Sequence, residues 1–171
     1  SPGEIRRLTR AGVIVVNGLG LGEFLEKTMK QVGPGTPIIT ATREVKPLAL
    51  PDPGTSGQAG TAGQTASNHK HRHEHESHGN SHAWVSPMQA AVMVRTIAGG
   101  LAHIDPSRRG IYQANGDRYA RRLEGLHLEM KTLVDRAANK KVITVHDSFD
   151  YWARDVGLEV IGVIQVQPGR D

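Results

Sequence analysis

Two short apolar stretches, VIVV at 13–16 and PIITATREV at 37–45, flank a segment whose apolar side chains recur every three or four residues. An uninterrupted run of β-branched residues suits a strand buried on both faces, since a half-exposed strand would alternate with polar residues. Between the runs, NGLGLG reads as a turn. EFLEKTMKQVG then places Phe24, Leu25, Thr28, Met29 and Val32 at helical spacing, and Gly33 and Pro34 end it. Residues 4–10, EIRRLTR, read as the end of another helix, stopped at Gly12. Strand, helix and strand in this order point to an α/β layer with parallel strands.

Residues 46–81 break the alternation. PLALPDPGTSGQAGTAGQTASN is rich in Pro, Gly, Ser, Thr and Ala and grades into a histidine run, so a stretch from about 48 to 81 reads as a disordered insert. Order returns at HAWVSP. Ser86 as N-cap, Pro87 at the first helical position and Gln89 as capping-box partner start the helix PMQAAVMVRTIAGGLAHI. Asp105-Pro106 repeats the start signal. Tyr112, Tyr119, Leu123, Leu126, Met130 and Leu133 then follow at spacings of three and four, with Gly116 at the missing step. That seam predicts one amphipathic helix reaching about Asn139, about 30 residues and roughly 45 Å long. KVITVH (141–146) reads as a strand, Asp147 or Ser148 as the cap of FDYWARDV, Gly157 as its stop, and EVIGVIQV as the next strand. The expected organisation is an N-terminal α/β lobe over 1–104, a linking long helix over 105–139, and the start of a second, incomplete α/β lobe over 140–171.

Two histidines share a local context. His82 precedes an extended piece leading to the Ser86 cap, and His146 ends a strand just before a helix start. Ligands of open α/β sheets collect at the carboxyl ends of strands. Two lobes facing each other across the long helix would present both imidazoles to a shared cleft, and neutral imidazole is a good Zn²⁺ ligand near pH 7. The alternative is that each is a capping or core histidine. His69, His71, His73, His75 and His78 are a different group. They alternate with Lys70, Arg72 and Glu74, and nothing apolar fixes them. Such a run binds metal labilely and with little selectivity, or is only a solvated spacer. His103, near a helix C-terminus, and His127, off the apolar seam, read as structural.

Rival chemistries find less support. His82, His146 and Asp147 on one ion with a bound water would make a metallohydrolase, and a storage protein would use the histidine run alone. No Ser or Cys nucleophile motif is present, and NGLGLGE lacks the spacing of a phosphate loop. The net charge of +4 suggests nucleic acid, but the basic residues alternate with Glu124, Glu129 and Asp135 along one helix, and aromatic residues make up only 4%. That pattern is a solvated helix face with too few stacking platforms. Without cysteine there are neither disulfides nor thiolate metal sites. No apolar run approaches the about 20 residues of a membrane helix. The start at Ser1-Pro2-Gly3 and the stop soon after an apolar run make both ends look cut.

In this order, VIVVNGLGLGEFLEK, the histidine-rich insert running into HAWVSP, DPSRRGIYQANGDRYARRLEGL and VITVHDSFDYWARDVGLEVIGVI carry a resemblance. The chain resembles the metal-binding component of bacterial ABC transporters for zinc or manganese, the high-affinity zinc-uptake substrate-binding family. The likeness covers nearly the whole chain apart from the insert. It implies two α/β lobes joined by one rigid backbone helix, with a metal cleft between them. It also implies a receptor that catalyses nothing, a membrane permease as partner, a monomer, and a periplasmic or extracytoplasmic, membrane-anchored location. His82 and His146 fall on two of the family's metal-binding histidines, and His69 to His78 would be an accessory low-affinity loop. A third family histidine would precede Ser1, and a carboxylate ligand would follow Asp171. Zinc sites generally use four ligands, or three plus water, so 171 residues carrying two of them are expected to bind weakly. The family usually has an acidic residue where Ser86 stands, and serine preserves the cap. Imidazole donors favour Zn²⁺ as cargo, with Mn²⁺ or iron as the variant, because manganese prefers oxygen ligands.

Overall fold

The structure, a computed structural model, describes Leu8 and residues 10–21, 35–48 and 79–164. The helices expected around 4–10 and 23–33, and the run from His69 to His78, lie almost entirely outside these residues.

The first pair of strands, β1 (Ile14–Val16) and β2 (Ile38–Thr40), is parallel, with Ile14 opposite Ile38. Ile14 and Val16 are buried against Leu8, Ala11 and Ile38. Val15 is 46% exposed, so the expectation of a strand buried on both faces is corrected. The helix α1 (Pro87–Ile104) comes up to Ile39, where a Cβ at Gly100 would lie 2.7 Å from the isoleucine Cδ1, yet Val15 beside it stays open. The second strand is also shorter than PIITATREV suggests. After Thr40 the chain turns, while Ala41 and Thr42 still donate backbone N–H groups to Val16 and Asn17 at 2.8 and 3.0 Å.

Helix α1 starts as its cap chemistry dictates. Ser86, in extended conformation, accepts the Gln89 N–H on its hydroxyl oxygen at 3.4 Å, and Pro87 occupies the first turn. The capping box itself does not form. The Gln89 side chain donates instead to Asp155 Oδ2 at 2.8 Å, and the Ser86 hydroxyl donates to the same oxygen at 2.6 Å. A carboxylate is the stronger acceptor, so the glutamine turns towards it.

A 3₁₀ turn at Pro106–Arg108 leads into α2 (Arg109–Asp135), 27 residues and therefore about 40 Å long. The two helices fold back on each other. The contact keeps only part of the expected seam: Gly116 is buried and Tyr112, Leu123 and Met130 are half-buried, but Tyr119, Leu126 and Leu133 are exposed, and Ala120 and His127 are buried instead. Gly116 explains the rotation. A Cβ there would stand 2.5 Å from the Ala98 Cβ, so the backbones approach where side chains are smallest. His127 thus lies on the packed face and not off it.

Asp105, between the helices, makes no side-chain cap. Its carboxylate accepts hydrogen bonds from the Ser107 hydroxyl, Arg108 Nε and the Tyr112 hydroxyl. The Ser107 bond first, then Arg108 and Tyr112, hold it down from an ordinary 3.8 to about 2. A carboxyl that is harder to protonate when folded contributes stability above its unfolded value and loses it as pH falls to its folded value. Asp105→Asn is therefore expected to melt below the parent at neutral pH, and the gap should close between about pH 4 and pH 2. Thermal melts of both proteins across that range check this.

The second pair, β3 (Lys141–Thr144) and β4 (Glu159–Val163), is also parallel, with Val142 opposite Val160 and a register shift that sets Ile143 against Gly162. Both strands stop short of the runs KVITVH and EVIGVIQV. Between them, a 3₁₀ turn at Asp147–Phe149 runs into α3 (Asp150–Val156), and neither Asp147 nor Ser148 caps it through a side chain. Gly157, at φ 87°, closes α3, and its N–H and that of Leu158 both reach Ala153 O. Among the described residues, two parallel strand pairs and a helical hairpin make this an α/β fold, as expected.

Candidate metal centre

His82 stands two residues after a buried asparagine. Asn80 has no exposed surface, its backbone N–H is held by Leu48 O at 2.8 Å, and its Oδ1 accepts the His82 N–H at 2.9 Å. This is an Asx turn, in which a short polar side chain stands in for backbone. The His82 ring returns towards it, with Nδ1 3.0 Å from Asn80 Oδ1. Asn17, just after β1, donates its side-chain amide to Ser81 O at 3.0 Å. The 80–82 segment is thereby pinned at the carboxyl end of β1. No extended piece follows His82; a 3₁₀ turn at Ala83–Val85 leads to the Ser86 cap.

His146 arrives from the other strand pair. It continues the extended path of β3 at φ −146°, ψ 152°, and its Nδ1 lies 2.6 Å from Asp147 Oδ1. A carboxylate can only accept, so the ring proton belongs on Nδ1 and the Nε2 lone pair is left free. Adjacent side chains at a strand end usually diverge, but the 3₁₀ turn beginning at Asp147 brings this pair together.

The two rings meet edge to face, with centroids 5.1 Å apart at 75°, and the Trp84 ring centroid stands 5.2 Å from that of His82. One ligand atom each from His82, His146 and Asp147 falls within 4.8 Å of the others. Tetrahedral zinc, with Zn–N near 2.1 Å, sets its donors about 3.4 Å apart, within reach of small side-chain rotations. The environment is graded: the His146 side chain is 65% exposed, while that of Asp147 is 24% exposed. Among the described residues this is the one trio of histidine and carboxylate groups close enough to share an ion.

The other histidines stand elsewhere. His103 is exposed in the last turn of α1, and His127 is buried with its Nδ1 lacking a partner among the described residues. His69, His71, His73, His75 and His78 lie outside the described residues. An open groove of about 510 Å³ between α1 and α2, walled by Val94, Ile97, Leu101, Tyr112 and Tyr119, contains no histidine or carboxylate. Sequence reading singled out His82, His146 and Asp147, and passed over Asn80 and Asn17. The Asn-x-His spacing of an Asx turn is the local signal that could have found Asn80.

A family model described as zinc-uptake complex component A, periplasmic, matches residues 1–171. A protein of Treponema pallidum (strain Nichols) named for metal binding is 31% identical over 156 residues, which is 89% of this chain and 46% of that protein. The iron-binding protein YfeA of Yersinia pestis is 24% identical over 94% of this chain and 46% of its own. The crystal structure of a ZnuA deletion mutant with zinc bound superposes with a TM-score of 0.75 at 25% identity, covering 98% of this chain and 57% of that one. The chain thus spans about half the length of the relatives it matches.

Proposed function

The chain belongs to the periplasmic zinc-uptake component A family, and from that membership we propose that it is the metal-binding part of an ABC importer's receptor, with Zn²⁺ as cargo. His82 and His146 donate Nε2 to the ion, and Asp147 orients His146 from behind. The observation that carries this reading is the meeting, at 5.1 Å, of an imidazole from the segment tied to the end of β1 and one that follows β3, the latter backed by a carboxylate on its far nitrogen. Histidines that bind metal almost always present such a partner on the other ring nitrogen. Imidazole donors select zinc over manganese, which takes oxygen ligands by preference.

On this reading the protein works outside the cytoplasmic membrane, anchored to it, and hands its ion as a monomer to a membrane permease without chemical conversion. Among the described residues no helix is long and apolar enough to cross a membrane. The five histidines from His69 to His78 act as a tethered collector that raises the local metal concentration. Calorimetric titration with Zn²⁺ tests the division of labour. Serine at positions 69, 71, 73, 75 and 78 should remove only extra, weaker ions and leave one ion bound. Loss of all binding in that variant would make the run the whole function and overturn the receptor reading.

A further inference from the structure

We propose that Asn80 is a positioning residue of the metal centre: one buried amide sets which nitrogen of His82 faces the ion and holds that ring in register with the turn carrying His146. The inference rests on the reading that these two histidines bind the metal.

Asn80 is buried completely, and both ends of its amide are engaged. Its Nδ2 donates to Asp147 O at 2.7 Å and to Asp150 Oδ2 at 3.0 Å. Both partners are pure acceptors, so the amide orientation is fixed and Oδ1 must point the other way. On that side it meets the His82 N–H and His82 Nδ1 at 2.9 and 3.0 Å. An oxygen that only accepts requires a proton on Nδ1, which leaves Nε2 as the ligand nitrogen. Histidine side chains free in water favour the opposite tautomer, with the proton on Nε2, so the buried amide works against the intrinsic preference.

The same amide explains how the two ligands keep their spacing. Asp147 O belongs to the turn immediately after His146, the Asp150 carboxylate to the first residue of α3, and Asn80 lies two residues before His82. A single planar group therefore bridges the segments that carry the two donors. Asn80 and Asp147 play parallel parts, each holding the Nδ1 side of one ring. Asn80 does so from full burial, while the Asp147 side chain remains partly exposed.

Two-bond proton–nitrogen NMR correlations of the imidazoles, recorded on the metal-free full chain, read the ring proton directly. Zn²⁺ affinity follows from competition with a chromophoric chelator. The parent should show His82 protonated on Nδ1, and a proton on Nε2 overturns the proposal. Asn80→Ala should move the proton towards Nε2 and weaken Zn²⁺ binding by about 10- to 100-fold, the usual effect of losing a group that orients a ligand. Unchanged ring protonation with unchanged affinity would overturn the proposal, because a purely structural asparagine would lower only the melting temperature. Should Asn80→Ala fail to fold, the exchanged pair Asn80→Asp with Asp150→Asn decides. It keeps an acceptor on His82 and a donor–acceptor contact between 80 and 150 but sets an oxygen against Asp147 O, so His82 should keep its proton on Nδ1, and a proton on Nε2 would overturn the proposal. A parent that binds no Zn²⁺ but carries the His82 proton on Nδ1 would overturn the receptor reading and leave the tautomer assignment standing.

Discussion

His146→Ala should lower the affinity of the chain for Zn²⁺ by at least about 100-fold, and His82→Ala should do the same. A group that merely orients a ligand is worth about 10- to 100-fold in affinity, so removal of a donor atom should cost no less. The effect should reach the whole site, since the ion loses a bond that water can replace only at the expense of geometry. Because the two donors act on one ion, the double variant should be little worse than either alone. His146 gives the cleaner measurement. Its side chain is 65% exposed, and exposed substitutions usually move stability by no more than about 0.5 kcal/mol. His103→Ala, an exposed position in the last turn of α1, serves as the control and should bind as the parent does. Competition titrations at fixed pH, with the 69–78 histidines replaced by serine in every protein, isolate the site from the loop. Parent-like affinity in His146→Ala would remove that imidazole from the metal centre.

The second large effect falls on stability. Tyr151 has no exposed surface and sits in a cluster with Ala41, Val45, Ala83 and Met93. Its hydroxyl accepts the Leu48 N–H at 3.0 Å and donates to Asn80 O at 2.9 Å. One residue of α3 therefore fills the core beneath the site and satisfies two backbone groups, one at Leu48 and one at Asn80. Tyr151→Ala should cost about 3–5 kcal/mol, the range for deleting a buried aromatic ring. Tyr151→Phe keeps the ring and loses only the hydroxyl. It should cost about 1–3 kcal/mol, because the buried Asn80 carbonyl and the half-buried Leu48 N–H lose their partner. Urea unfolding with unchanged m-values reads both directly. A phenylalanine variant as stable as the parent would show that the hydroxyl bridge contributes nothing.

What could be read from the sequence was whatever depends on near neighbours. Helix α1 starts where Ser86 and Pro87 say it should, because a cap is made within three residues. The α/β class was legible because short apolar runs alternate with helical spacing. That the rings of His82 and His146 come near each other could be anticipated because each imidazole immediately precedes a turn that starts a helical segment. The rest failed for one recurrent reason, which is that the deciding partner is distant in sequence. Gln89 leaves its capping box for Asp155, Asn80 is explained only by Asp147 and Asp150, and Tyr151 only by Leu48. The face of α2 was misjudged on different grounds. Counting apolar residues favours Tyr119 and Leu126, whereas close packing favours the smallest side chains: of the expected seam Gly116 meets Ala98, and the neighbouring Ala120 is buried while Tyr119 and Leu126 are not.

The contact between Gly116 and Ala98 also limits how this sequence can drift. The two positions share a space already reduced to a single methyl group, since a Cβ at 116 would come within 2.5 Å of the one at 98. Growth at 116 must be matched by shrinkage at 98, for which Ala98→Gly is the one available concession, whereas growth at 98 has nothing left to give way at 116. Two residues on separate helices thus behave in descent almost as one character, and a lineage can exchange the methyl between them but hardly enlarge it.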